Sequence, residues 1–194
     1  MMNFDLWRHF YRARFFLLIK QPDKAMLAYR QALAVDAEFI QALDGIGMLL
    51  AARHDYRQAA DYFRASLQLK PGSAFVHFNL GFVLEKLGNR GEAIAAFQQA
   101  VAINPALDRA WYGMGLAHAT LGQHAAAAEA FRHAAELQPM NPHAWYNLGM
   151  AYHTLHDPDK VKEVIRHLHR FDPKMSRQLI VDAGRSDLSH LINT

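Results

Sequence analysis

The chain has 194 residues, of which 52% are hydrophobic, 20% charged and 11% aromatic, enough apolar material for a buried core and too much for wholesale disorder. It has no cysteine, which excludes disulfides, cysteine-based zinc sites and thiol nucleophiles. The formal net charge is +3, with 21 basic residues interspersed among 18 acidic ones, so nucleic-acid binding has little electrostatic support and no nucleic-acid partner is expected.

The first segment, 6–39, is the most basic and aromatic. Arg8, Arg12, Arg14 and Lys20 face only Asp5 within the first twenty residues, and Trp7, Phe10, Tyr11, Phe15 and Phe16 interleave them. The apolar run 15–19 is too short for a transmembrane helix and unlike a secretory signal, so a cytoplasmic location is expected, with a peripheral position at a membrane as the alternative. Apolar residues fall on more than one face of this predicted helix, and such a helix calls for cover. The cover is a partner protein, a second copy of the chain or an anionic lipid surface, with Trp7, Phe10, Tyr11 and Arg14 as candidate docking residues. The competing reading is a poorly amphipathic end helix folded against Ala25 and Tyr29.

Beyond residue 39 a period appears. Pro71, Pro105, Pro139 and Pro173 stand 34 residues apart, and one ladder of side chains precedes each. It runs Leu43, Ile46, Gly47, Leu50, Ala59, Phe63 in residues 40–73, and His77, Leu80, Gly81, Leu84, Ala93, Phe97 in residues 74–107. Residues 108–141 carry Trp111, Met114, Gly115, His118, Ala127, Phe131, and residues 142–175 carry Trp145, Leu148, Gly149, Tyr152, Val161, Ile165. The first four positions of each ladder are spaced for one face of a helix, and a second helix follows after a turn. A glycine inside a helix costs roughly 1 kcal/mol against alanine, so its recurrence predicts close approach of the second helix, with Ala59, Ala93 and Ala127 facing it and the phenylalanines beyond. Gly88 and Gly122 suit left-handed C-terminal caps, and each proline excludes helical geometry from the residue before it.

Trp145-x-x-Leu148-Gly149-x-x-Tyr152 resembles the opening of the tetratricopeptide repeat in full. The resemblance implies an all-α fold, a right-handed superhelical solenoid of helix-turn-helix repeats. Its parts would be a degenerate first repeat at 6–39, repeats at 40–73, 74–107, 108–141 and 142–175, and a C-terminal capping helix or tail at 176–194. The tail holds Leu179, Ile180, Val181, Leu188, Leu191 and Ile192, with a break expected at Ala183-Gly184.

In this family the second stripe of each first helix lines a concave groove for partner segments. Here those positions hold Phe75, Phe78, Asn79 and Phe82, then Arg109, Tyr112 and Leu116, then His143, Tyr146, Asn147 and Met150. The aromatics are expected to anchor an apolar partner and the asparagines to pair with its backbone, the competing reading being that some of them pack against the next repeat. Family members that grip a terminal carboxylate do so with a lysine and an asparagine where this chain has Asp44 and Met48, so that clamp is not expected.

No Gly-rich phosphate loop, nucleophile elbow or His-Glu-x-x-His appears, so no catalytic residue and no cofactor are expected. The His153/His156 and His167/His169 pairs lack a ligand set, and no metal is expected. The resemblance implies a non-catalytic scaffold, assembly factor or chaperone-like adaptor that binds another protein through an extended or helical segment. The alternative is a peripheral subunit of a membrane-associated complex docked through the N-terminal helix. Self-association of the chain stays open.

Overall fold

The apolar stripes that recur every 34 residues become helices joined by short turns. The structure, a computed structural model, describes residues 4–188, and these contain eleven α-helices and no strand. They are α1 (Phe4–Leu18), α2 (Pro22–Val35), α3 (Ile40–Ala52), α4 (Tyr56–Leu69), α5 (Ala74–Lys86), α6 (Arg90–Ile103), α7 (Asp108–Thr120), α8 (His124–Leu137), α9 (Pro142–Thr154), α10 (Pro158–His169) and α11 (Pro173–Asp182). Two compact units divide the chain, Met1–Ile103 and Asn104–Thr194.

In the first unit α1 pairs with α2, α3 with α4 and α5 with α6, and each pair packs on the one before it. Tyr29, Phe63 and Phe97, one from each second helix, are the largest side chains fully buried there. In the second unit α7 pairs with α8, α9 with α10, and α11 packs on both α9 and α10. Phe131, Leu148, Ile165, Leu168 and Leu179 form its centre.

The recurring glycines are explained by aromatic rings and not by the alanines opposite them. A Cβ on Gly47, Gly81 or Gly115 would lie 2.6–2.7 Å from a carbon of Phe63, Phe97 or Phe131, closer than van der Waals contact allows. In the last pair Ile165 stands where the others have phenylalanine, and Leu179 of α11 takes the space instead, 2.5 Å from where a Cβ of Gly149 would be.

Each first helix of a pair ends two residues before a left-handed residue. Gly88 and Gly122 take φ of +81° and +71°, and the same repeat position is filled by Lys20, His54 and His156 at φ of +55°, +64° and +56°. Asp55, Ser73, Asn141, Asp157 and Asp172 cap the helices that follow them by accepting from a backbone N–H two or three residues on. Lys70, Gln138 and Asp172, each before a proline, lie outside helical geometry, with ψ of 83°, 74° and 80°.

The last proline behaves differently from the other three. Pro71, Pro105 and Pro139 follow the end of a second helix, whereas α10 stops at His169 and Pro173 opens α11. Helix α11 thus begins three residues ahead of the repeat phase, and the 34-residue proline here starts a helix. The chain then turns at Ala183-Gly184, with Gly184 at φ +63° and Leu188 buried beyond it. Leu191 and Ile192, which the sequence adds to this tail, lie outside the described residues.

Candidate functional site

The first unit carries an apolar hollow of about 420 Å³ between α3, α4 and α5. Met48, Ala51 and Ala52 line one wall from α3, and Phe78, Asn79 and Phe82 line the other from α5. Phe63 forms part of the floor, and His54 and Tyr56 stand at the α3–α4 turn. The arrangement follows from local sequence. Phe78 and Phe82 are one turn apart on α5, and Phe78 is held by the Phe97 ring 6.1 Å away. Phe82 is exposed, meets Tyr56 edge-on at 6.4 Å and has the Lys86 ammonium 5.5 Å from its ring centre. The His54 ring nitrogen Nδ1 and the Tyr56 hydroxyl are hydrogen-bonded at 2.6 Å. Phe75, one helical turn before Asn79, is exposed as well.

Other expected groove positions in this unit are not open. Gly45 is buried under the ring of Tyr29, and Asp44 is half-buried beside Ser66. One oxygen of Asp44 has no hydrogen-bond partner, and burial pushes its carboxyl above the usual carboxylate range.

In the second unit the expected site residues divide into two groups. Arg109, Leu116 and His143 are exposed along α7 and α9, and Met150 is half-buried against the core. Tyr112, Tyr146 and Asn147 are tied into the unit itself. Asn147 donates to the Tyr112 hydroxyl at 2.9 Å, and the Tyr112 ring lies 5.7 Å from Phe131. Tyr146 donates to Asp182 of α11 at 2.6 Å, a bond that pushes the tyrosine up to about 12.

Residues 74–107 and 142–174 match tetratricopeptide repeat families and residues 120–155 a TPR repeat family. The chain contains tetratricopeptide repeats. Comparison with curated protein sequences finds no match. Among solved structures, the chain is similar to YrrB, described as a TPR protein with an unusual peptide-binding site, at 24% identity and a TM-score of 0.79, covering 91% of this chain and 90% of that one. It is also similar to MamA, at 21% identity and a TM-score of 0.78 over 95% and 97% of the two chains. MamA from Desulfovibrio magneticus RS-1, residues 41 to the end, is 23% identical with a TM-score of 0.79 over 89% and 99%. Tetratricopeptide repeats are in general protein-interaction modules without catalytic activity.

Two features of this tetratricopeptide chain escape a reading based on first helices. Tyr56 and His54 belong to the turn and the second helix, yet they form the rim of the hollow. Their signal in the sequence is the 34-residue phase that places His54 where the next repeat has Gly88. In the second unit, Trp111 and Trp145 donate their indole N–H to the carbonyls of Pro105 and Pro139 and lie against His133 and His167, with ring centres 4.3 and 3.9 Å apart. His167 thus serves packing. Among the described residues no group of three or more potential metal ligands comes together.

Of the N-terminal docking candidates, Trp7 and Phe10 pack on Phe39 at 5.4 and 5.6 Å, edge to face, and seal the first pair. Tyr11 and Arg14 are exposed, Arg14 with its guanidinium 5.9 Å from the Phe10 ring. No described helix is long and apolar enough to cross a membrane.

Proposed function

We propose that the chain is an adaptor that takes an apolar segment of a partner protein into the hollow between α3 and α5. The observation that carries this reading is the hollow itself. It is about 420 Å³, lined by Met48, Phe78, Phe82 and two alanines, with only Asn79, His54 and Tyr56 to offer hydrogen bonds. Pockets for partner side chains are of this size and composition, and an apolar wall left open to water needs an occupant. Asn79 has both a donor and an acceptor to offer a peptide unit, whatever its side chains. The peptide site in the description of YrrB lends support of kind, not of detail.

The second unit offers Arg109, Leu116, His143 and Met150 as candidate partner contacts of its own. Tyr112, Tyr146 and Asn147 would contribute less than expected from sequence, because their polar atoms already have partners. The expected grading is therefore steep. Phe78→Ala and Phe82→Ala each weaken binding by about 2 kcal/mol, roughly thirtyfold, with helical content unchanged.

The test is a photo-crosslinking residue placed at Phe82 in cells, compared with one at an exposed position away from the hollow, Arg64. A partner captured only from Phe82 and released by Phe78→Ala supports the reading. Equal capture from both positions sinks it.

A second reading, from another class, makes the chain a peripheral subunit of a membrane-associated complex. The exposed apolar residues of α1 favour it.

A further inference from the structure

Helix α1 buries one face and leaves a second apolar face open. Leu6 and Ala13 are buried, whereas Phe4, Tyr11, Phe15 and Leu18 are 77%, 63%, 56% and 79% exposed. The intervals between these four, 7, 4 and 3 residues, put them on one stripe.

The repeat phase says what this stripe corresponds to. Arg8, Tyr11 and Phe15 stand where α3 has Ala42, Gly45 and Leu49, and where α9 has Ala144, Asn147 and Ala151. Those alanines and Leu49 are buried, and α3 and α9 pack on the pairs that precede them. At Gly45 the Tyr29 ring of α2 comes within 2.5 Å of where a Cβ would be. The later first helices carry alanine, glycine, asparagine or leucine at these positions, whereas α1 carries arginine, tyrosine and phenylalanine, a poorer fit for a preceding helix at the separation used between later pairs.

Charge argues against a second copy of the chain. A two-fold pairing of α1 stripes would bring Arg8, Arg12 and Arg14 against their own counterparts, at a cost from like charges. Asp5, the one acid of the helix, already bridges Arg8 at 3.3 Å. Arg12 and Arg14 form no ion pair among the described residues and lie 5.9 Å from the rings of Phe16 and Phe10, with Lys24 5.7 Å from Phe16.

An apolar stripe flanked by unpaired cations fits a surface that is apolar below and anionic above. We propose that the outer face of α1 docks on an anionic lipid surface. Phe4, Tyr11, Phe15 and Leu18 enter the boundary between headgroups and acyl chains, and Arg8, Arg12 and Arg14 meet the lipid phosphates and carboxylates. The docking is peripheral, and it shares no residue with the hollow between α3 and α5.

The test uses the full chain and sedimentation with phosphatidylcholine vesicles, with or without phosphatidylserine. Each arginine near an anionic surface is worth about fivefold in affinity, so binding should be on the order of a hundredfold tighter with phosphatidylserine and should fall with salt. The combined Tyr11→Ser, Phe15→Ser and Leu18→Ser variant should lose vesicle binding, and Arg12→Gln with Arg14→Gln should weaken it roughly twenty-five-fold. Both should melt like the parent, since all five side chains are exposed. Phe78→Ala should bind vesicles normally, which separates this inference from the fate of the hollow. Absent vesicle binding, binding unchanged in either variant, or a dimer in light scattering that the serine variant dissolves would each overturn the proposal.

Discussion

A glycine inside a helix is unfavourable until its neighbour is known. Gly81 and Gly115 each have a phenylalanine ring 2.7 Å from where a Cβ would stand, whereas Gly91, near the start of α6, has open space. Alanine at Gly81 or Gly115 gains about 1 kcal/mol of helix propensity and incurs an overpacking cost of about 1–3 kcal/mol, so both variants should be destabilised, by about 1 kcal/mol on balance. Gly91→Ala should be stabilised by about 0.5–1 kcal/mol. Urea denaturation reads both signs, and a stabilised Gly81→Ala would mean that the ring is free to move away. Asp44 offers a second residue-scale check through pH. Its carboxyl is raised by burial, with Ser66 and Lys70 opposing more weakly. A raised folded-state value means that the protonated form is the one the fold favours, so this contribution to stability is present in acid and is lost as pH rises through the folded value. Asp44→Asn should therefore melt higher than the parent at neutral pH, with the gap closing as the pH falls through the ordinary carboxylate range. A parent and variant that differ equally at every pH would show that the charge is not what matters. The sequence made the repeated glycines legible as close approaches, because a costly residue at a fixed interval needs a cause. It did not show that rings fill the space, since that depends on the angle between two helices. Nor did it show that Lys20, His54 and His156 share the left-handed backbone of Gly88, because only glycine advertises that conformation.

Helix α11 is the element whose role depends most on contacts invisible in the chain order. Its Leu179 is fully buried over Gly149, its Asp182 accepts from Tyr146, and Gln178 donates to the same carboxylate at 2.8 and 2.9 Å. Phase alone would start this helix three residues later than Pro173, and Asp172, which accepts from the Met175 N–H at 2.9 Å, is what sets the actual start. The sequence marked Tyr146 as an apolar anchor because its helix position faces the groove in related repeats. The structure spends its hydroxyl on α11, a partner 36 residues away that no local pattern could reveal. Leu179→Ala should cost about 2–5 kcal/mol, because the site over Gly149 has no side chain of its own with which to collapse. The Tyr146–Asp182 bond predicts a pH signature. The hydroxyl must keep its proton to donate, and its value is pushed up to about 12, so its contribution persists below the ordinary tyrosine value and is lost as pH rises through about 12. Asp182 is lowered by the same bond and by Gln178, so its contribution is lost as pH falls below the usual carboxylate range. Melting curves of the parent and of Tyr146→Phe should differ near neutral pH and converge at both extremes. A constant difference would mean that the hydroxyl does not hold α11.

The first and last described helices face water in opposite ways. Helix α11 turns Lys174, Arg177 and Gln178 outward, a polar face compatible with water, although Val181 remains exposed among them. Helix α1 turns Phe4, Tyr11, Phe15 and Leu18 outward. In a repeat protein stability is a sum of each pair's own folding and its contacts with neighbours, so losing an end element damages its neighbours first. Removing residues 173–194 would uncover Leu148, Val164 and Leu168, all buried in the core that α11 completes. Hydrogen exchange on that truncated chain should show α9 and α10 losing protection, while the amides of α3, α4 and α5, which build the hollow from contacts within their own unit, keep theirs. Binding of a partner at the hollow should then survive the truncation. If instead protection falls together in α3–α5 and α9–α10, the chain unfolds as one cooperative body. In that case the hollow draws its stability from α11, and Leu179→Ala should weaken partner binding as much as Phe78→Ala does.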